Sequence, residues 1–283
     1  MSRPPWYILV LVKPFDSPLT ANYELIDAFA IGPFSGNPAA VIMVDSSQAD
    51  RVTDRDLQLI AAEFNLSETA FLWQRNVPDE WTLRWFSPTT EVNLCGHATL
   101  AAASFLSRRC PGSRWEFHTR SGCLSAVQSP DGDISLDFPE TQLYPADPER
   151  VASCHWGDGL EMFVAGEDLL VVGPHRQWVA DFSDDGKDLV SITQRGVIIT
   201  APGDHEYDCV SRFFAPKCGI NEDPVTGSAH CALAPYWQRR LGVNHIIGYQ
   251  LSPRGGIVRA AASGGRVTLS GATYLIAEGR IRL

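Results

Sequence analysis

The chain predicts a duplicated α/β fold: two pseudo-symmetric units, each with a helix closely enclosed by a sheet. The main observation is a repeat. Arg84-Trp85-Phe86-Ser87-Pro88 leading to Gly96-His97-Ala98 is echoed by Arg212-Phe213-Phe214-Ala215-Pro216 leading to Gly227-Ser228-Ala229-His230. In each copy an alternating apolar strand passes through a proline-marked loop to a glycine, which opens a run of small apolar residues with the character of a helix start. Two further echoes follow at similar offsets: Arg120-Ser121-Gly122 with Arg254-Gly255-Gly256, and residues 131–136 with 264–269. Two helix N-termini in matching positions imply a cleft on a pseudo-twofold axis. Such a cleft presents free backbone N–H groups and two positive dipole ends, which suit a carboxylate or another anion.

Taken in order, residues 23–29 and 39–44 read as strands around a glycine- and proline-rich loop at 31–38. With Thr53 or Asp54 as N-cap, Leu57, Ile60, Ala61 and Phe64 fall on one face of a helix ending near Asn65. Residues 67–72 return to strand character and place Glu68 at the strand's beginning among apolar neighbours. Residues 81–86 form the next strand, and 87–95 loop into a helix over 96–109. Ala98, Ala101, Ala102 and Ala103 make that helix small on several faces, as close enclosure by a sheet requires. Residues 139–160, with three prolines and no apolar period, read as the linker to the second unit. The last strand, 274–281, is expected to return to the first. The organisation is therefore an extension at 1–21, a first unit over 22–140 completed by about 272–283, and a second over 141–271.

Composition narrows the function. The 283 residues are 45% hydrophobic and carry a formal charge of −10, normal for a packed protein and unfavourable for nucleic acid or an anionic membrane surface. An anionic metabolite must be held by local donors. Seven scattered cysteines without a C-x-x-C pair point to reduced thiols and a cytoplasmic protein. The apolar run from Trp6 to Val12 is closed by Pro14 and is too short to span a bilayer. The phosphate-loop and dinucleotide signatures are missing. Metal ligation is not expected, because His230 and Cys231 diverge on a helix and Cys95-Gly96-His97 lacks a partner pair.

Chemistry concentrates at a few positions. Glu68 sits where desolvation raises a carboxyl's pKa and a helix N-terminus lowers it; it reads either as an acid/base or as a turn carboxylate. His97 falls in the first turn of its helix, where the dipole favours neutral imidazole. Cys95 is either an activated thiol or a buried filler. Asp223 and Ser228 in the second copy offer a proton relay or substrate hydrogen bonds, or else simply turn the chain and cap the helix. With a cysteine in one copy alone, a symmetric two-thiol racemase is not indicated.

Five motifs in order, DAF…FSGNPAAV at 27–41, NLSETAF at 65–71, RWFSP…CGHATLA at 84–101, EDPVTGSAH at 222–230 and SPRGG at 252–256, resemble the PhzF family of phenazine-biosynthesis-like proteins, with the animal members as the nearest branch. The resemblance spans residues 23–283. It implies the fold of diaminopimelate epimerase: two alike α/β domains, each a strongly curved sheet around a central helix, with the active site between them. It also implies an isomerase that shifts a proton between carbons of a small carboxylate-bearing ring, works without a cofactor and forms a homodimer. Glu68 matches the family's acid/base, and His97, Asp223 and Ser228 its assisting residues. By the same resemblance, the backbone at Gly96 and Gly227 matches the carboxylate cradle, and the loop holding Asn37 would line the pocket. Two other functions stay open: a thiol-assisted amino-acid epimerase, and a binding protein that keeps the pocket without turnover.

Overall fold

A computed structural model describes residues 20–110, 112–147, 156, 159–183, 187–192, 195–204 and 206–282; residues 1–19, including the Trp6–Val12 run, lie outside them. The first half comprises β1 (Thr20–Ala28), β2 (Asn37–Met43), α1 (Asp54–Phe64), β3 (Glu68–Gln74), β4 (Glu80–Phe86), β5 (Glu91–Val92), α2 (Gly96–Arg109), β6 (Arg114–Thr119), β7 (Gly122–Gln128) and β8 (Ile134–Pro139). A short strand, β9 (Leu143–Pro145), follows. The second half holds β10 (Glu161–Ala165), β11 (Asp168–Val172), α3 (Arg176–Ala180), α4 (Lys187–Ile192), β12 (Gly196–Pro202), β13 (Cys209–Ala215), β14 (Ile220–Asp223), α5 (Gly227–Leu241), β15 (Ile246–Gln250), β16 (Gly256–Ser263) and β17 (Arg266–Gly271). The last strand is β18 (Thr273–Arg282).

Strand pairing makes the duplication explicit. In the first half β1 pairs antiparallel with β2, β2 parallel with β3, β3 antiparallel with β4, β4 parallel with β6, and β6, β7 and β8 antiparallel in turn. The second half repeats this pattern as β10, β11, β12, β13, β15, β16 and β17. The halves meet where β8 and β17 pair antiparallel, from Pro139 against Arg266 to Ile134 against Gly271. The strand order is thus mirrored about one seam. β18 crosses back to pair with β1, Thr20 facing Arg282, so Thr20 and Ala21, read from sequence as extension, belong to the sheet.

Each half curls around its own helix. α2 packs against β1, β2 and β3 at one end of its half-sheet and against β7 and β8 at the other, and every residue from Gly96 to Leu106 is buried. Small side chains let strands approach from all sides, while Leu100, Phe105 and Leu106 meet Trp85, Trp115 and Phe117 from the sheet. Each such buried side chain contributes roughly 1.5–3 kcal/mol. α5 is enclosed likewise: Tyr236 meets Phe163 of β10 edge to face, and Trp237 donates from Nε1 to Thr200 Oγ1 of β12. Pro235 lies inside α5 and has no N–H for the carbonyl of Cys231. The backbone N–H of Thr141 donates to that carbonyl at 3.1 Å instead, satisfying a buried acceptor.

The segment expected to be a featureless linker therefore carries structure in its described part, with β9 paired to β10. Pro145 closes β9 on the sheet's edge, where a missing donor costs nothing. α1 follows the sequence closely: Thr53 and Asp56 form a reciprocal capping box, and Asn65 ends the helix in the left-handed region at φ 50°. Among the described residues no helix is long and apolar enough to cross a membrane.

Candidate active site

The repeat aligns the residues that converge between the halves. Val92 and Asp223 occupy equivalent register positions, opposite Trp85 and Phe213 respectively. Cys95 and Thr226 are the two N-cap residues, Gly96 and Gly227 open the two helices, and His97 answers Ser228. The adjoining carboxylates are anchored alike: Arg84 grips Glu91 at 2.8 and 2.6 Å, and Arg212 grips Glu222 at 2.7 and 3.0 Å. These bidentate pairs fix the loop leading into each helix.

The helices meet glycine to glycine. A Cβ on Gly96 would lie 3.1 Å from Gly227 Cα, and a Cβ on Gly227 the same distance from Gly96 Cα, so any side chain at either position pushes the ends apart. Unlike α1, neither helix has a side-chain hydrogen bond capping its start. Ser228, for which capping was one reading, lies inside the first turn; Thr226 is the N-cap. The first-turn N–H groups of both helices thus converge without a side-chain cap.

Glu68, the first residue of β3, faces this junction with 13% of its side chain exposed. Burial, with the charge of Asp223 adding to it, pushes its pKa up to about 8. His97 Nε2 stands 3.3 Å from Glu68 Oε2, an approach too poorly aligned to be a hydrogen bond and one that leaves Nε2 without a partner. His97 Nδ1 is 3.5 Å from Cys95 Sγ. Burial lowers the pKa of His97 to about 3, so the imidazole is neutral as expected, with burial as the cause. Burial also raises the Cys95 thiol well above its ordinary value, which favours the second of its two readings, a protonated buried thiol. Sγ of Cys95, a ring nitrogen of His97 and a carboxylate oxygen of Glu68 lie within 4.8 Å of one another. The spacing argument against metal ligation found no partner for Cys95 and His97, and Glu68 supplies one from another strand.

From the second half, Asp223 ends β14 and is buried. Asn37, fully buried at the start of β2, donates from Nδ2 to Asp223 Oδ1 at 2.8 Å and to the carbonyl of Val225 at 2.9 Å. Thr226 Oγ1 donates to Asp223 Oδ2. Gln250, which sequence reasoning missed, donates to Asp223 O at 2.8 Å and accepts from Thr226 N at 2.9 Å. Burial raises the pKa of Asp223 to about 6, against the pull of the Thr226 and Asn37 donors. Arg195 and Asp168 were also missed. Arg195 donates from Nε to Asp168 Oδ1 at 2.7 Å and from Nη2 to Ser228 Oγ at 3.2 Å. Arg254 ties the halves together, reaching Asp27 Oδ1 at 2.8 Å and Gly36 O at 2.8 Å. The structure thus brings Glu68, His97, Gly96 and Asn37 of one half to Asp223, Ser228 and Gly227 of the other. A depression of about 520 Å³ lies at the opposite end of β3, lined by Trp73, Arg75 and Glu80; none of the residues that converge between the halves lines it.

The comparisons with known proteins agree with this fold. The family model described as Phenazine biosynthesis-like protein matches residues 26–279. An uncharacterized isomerase of Pseudomonas aeruginosa is 44% identical over 267 residues, covering 93% of this chain and 98% of its own. The human phenazine biosynthesis-like domain-containing protein is 34% identical over 293 residues, covering 91% and 97%. Among solved structures, a PhzF-family protein of Enterococcus faecalis superposes with a TM-score of 0.83 at 39% identity, covering 93% of this chain and all of that one. A hydroxyproline epimerase of Agrobacterium vitis shares the fold, with a TM-score of 0.58 at 10% identity over 94% of this chain and 93% of its own. With the mirrored sheets, the paired helix starts and these matches in hand, the chain belongs to the phenazine biosynthesis-like, or PhzF, family.

Proposed function

We propose that the protein is an isomerase that moves a proton between carbons of a small carboxylate-bearing metabolite, with Glu68 as the acid/base and no cofactor. The observation that carries this reading is the asymmetry around Glu68. It is a largely buried carboxyl with a pKa of about 8, and the repeat places Gly196, not a second base, at its equivalent position: Glu68 faces Ala39 in the β2–β3 register, and Gly196 faces Asp168 in β11–β12. One group then both removes and returns the proton, which suits a shift along one face of a substrate. At neutral pH about a tenth of Glu68 is ionised, so base and acid forms are both accessible, as general acid/base work requires. Neutral His97 and the first-turn N–H groups are placed to stabilise charge that develops on the substrate. The isomerase names of the bacterial relatives support the reaction class.

The thiol-assisted epimerase is less well supported, because Cys95 is held protonated and its counterpart is Thr226. The deciding experiment is deuterium incorporation in D₂O, followed by NMR, on a panel of small cyclic and unsaturated amino acids that includes dihydro-hydroxyanthranilate. Wild type is expected to exchange at defined carbons and Glu68→Gln not to. Undiminished exchange in a folded Glu68→Gln protein would overturn the assignment.

A further inference from the structure

Proton transfer by Glu68 leaves Arg195, the cation at this junction, without a task. Arg195 precedes Gly196 as Ser67 precedes Glu68, so the repeat sets a cation on the side of the cleft opposite the acid/base. Its guanidinium engages Asp168 with two parallel bonds, Nε to Oδ1 and Nη2 to Oδ2, and Nη2 also reaches Ser228 Oγ in the first turn of α5. The Phe213 ring lies 5.6 Å from the guanidinium carbon. Among the described residues, no hydrogen bond or ion pair occupies Nη1. Only 4% of the Asp168 side chain is exposed, against 34% for Arg195: the carboxylate is sunk behind the cation, and the cation remains accessible.

An ion pair with one partner buried is a poor device for stability, since desolvation offsets much of its attraction. The first half does without this one, holding Ala39 where Asp168 stands. What the pair fixes is a planar fork beside the α5 N-terminus, in a cleft otherwise rich in carboxyl groups. The charge of Arg195 acts on both Glu68 and Asp223, lowering the pKa of each. An anionic substrate entering beside two carboxyl groups needs such a partner, because helix-end dipoles amount to only about half a charge each.

We propose that Arg195, oriented by Asp168, binds the substrate's carboxylate together with the first turn of α5, so that the carboxylate lies against the second half and the reacting carbon faces Glu68. This deepens the isomerase reading and rests on it for the meaning of substrate. Arg195 is then a binding residue and Asp168 a positioning residue acting through it.

The test uses benzoate and its neutral isostere benzamide as probes, titrated into the full chain by NMR. Wild type is expected to prefer benzoate by about tenfold or more, as a charge-assisted contact to the unoccupied Nη1 warrants, and the Arg195 Nε–H resonance should shift with benzoate alone. Arg195→Gln should abolish the preference. Arg195→Lys, which keeps charge without the fork, and Asp168→Asn, which frees the fork, should each reduce it severalfold. Glu68→Gln should retain it. A wild type that does not discriminate, an Arg195 resonance indifferent to benzoate, or a preference surviving Arg195→Gln would each overturn the proposal. The resonance shift decides the matter even if a variant fails to fold. Loss of the exchange chemistry with the preference intact would count against the role of Glu68 alone.

Discussion

Replacing Glu68 by glutamine should stabilise the protein, and by an amount that depends on pH. Burial and Asp223 raise the carboxyl from 4.5 to about 8 in the folded chain. The folded state therefore holds this proton more tightly than the unfolded state. The stability it contributes is complete below about pH 4.5, falls by about 1.4 kcal/mol per pH unit between the two values, and is lost above about 8. The full span corresponds to roughly 5 kcal/mol. Glutamine is neutral throughout and keeps the shape of the protonated acid. Glu68→Gln is thus expected to exceed wild type by less than about 1 kcal/mol at pH 5, by about 3 kcal/mol at pH 7 and by nearly 5 kcal/mol at about pH 9. Asp223, raised to about 6 and coupled to Glu68 by charge, titrates differently once Glu68 is neutral, which adds a smaller pH-dependent term to the difference. Urea unfolding followed by tryptophan fluorescence reads the free energies directly. A difference that stays constant from pH 5 to 9, or a variant less stable than wild type at the upper end, would refute the picture of a carboxyl held protonated by its surroundings.

Three other outcomes follow from contacts described above. Gly96→Ala and Gly227→Ala each force a methyl to 3.1 Å from the facing glycine and should cost about 1–3 kcal/mol in urea unfolding while weakening carboxylate binding; unchanged stability and binding would mean the helix ends separate freely. Asn37→Ala removes a donor that holds Asp223 down, so the Asp223 carboxyl should titrate above about 6, readable by carbon-13 NMR of the carboxyl, with a stability loss of about 1–3 kcal/mol. Cys95→Ser should keep proton exchange within about tenfold of wild type, since a hydroxyl replaces the S–H donor beside Glu68; a loss of several hundredfold would restore the thiol mechanism.

The parts legible in the sequence were those written locally. The glycine-led helices announced themselves by small side chains and by their repetition, and α1 by the cap at Thr53. Glu68 stood out because a carboxylate among Leu66, Ala70 and Phe71 is chemically out of place. What escaped depends on which strand lies beside which. Asp168 and Arg195 carry no motif, and their pairing exists because β11 and β12 run parallel in a register that sets Asp168 beside Gly196. Gln250 reaches Asp223 and Thr226 because β15 lies parallel to β13. The clustering of Cys95, His97 and Glu68 likewise needs β3 and the start of α2 to be folded together. The echo of Arg84 in Arg212 was visible, yet their partners Glu91 and Glu222 were not singled out, because the loops between them differ in length.

The pairing of β18 with β1 sets the first and last described strands side by side, with Thr20 opposite Arg282. The path of the chain therefore closes nearly into a ring of two like arcs. In such a ring the position of the break is arbitrary as far as the sheet is concerned: joining the ends near Thr20 and Arg282 and opening the chain between β9 and β10 would exchange the order of the halves while keeping every described strand beside its present neighbour. The order in which a ribosome makes the two halves is then free as far as the sheet is concerned, whereas the placement of Glu68 on one arc and Arg195 on the other is kept whichever half comes first.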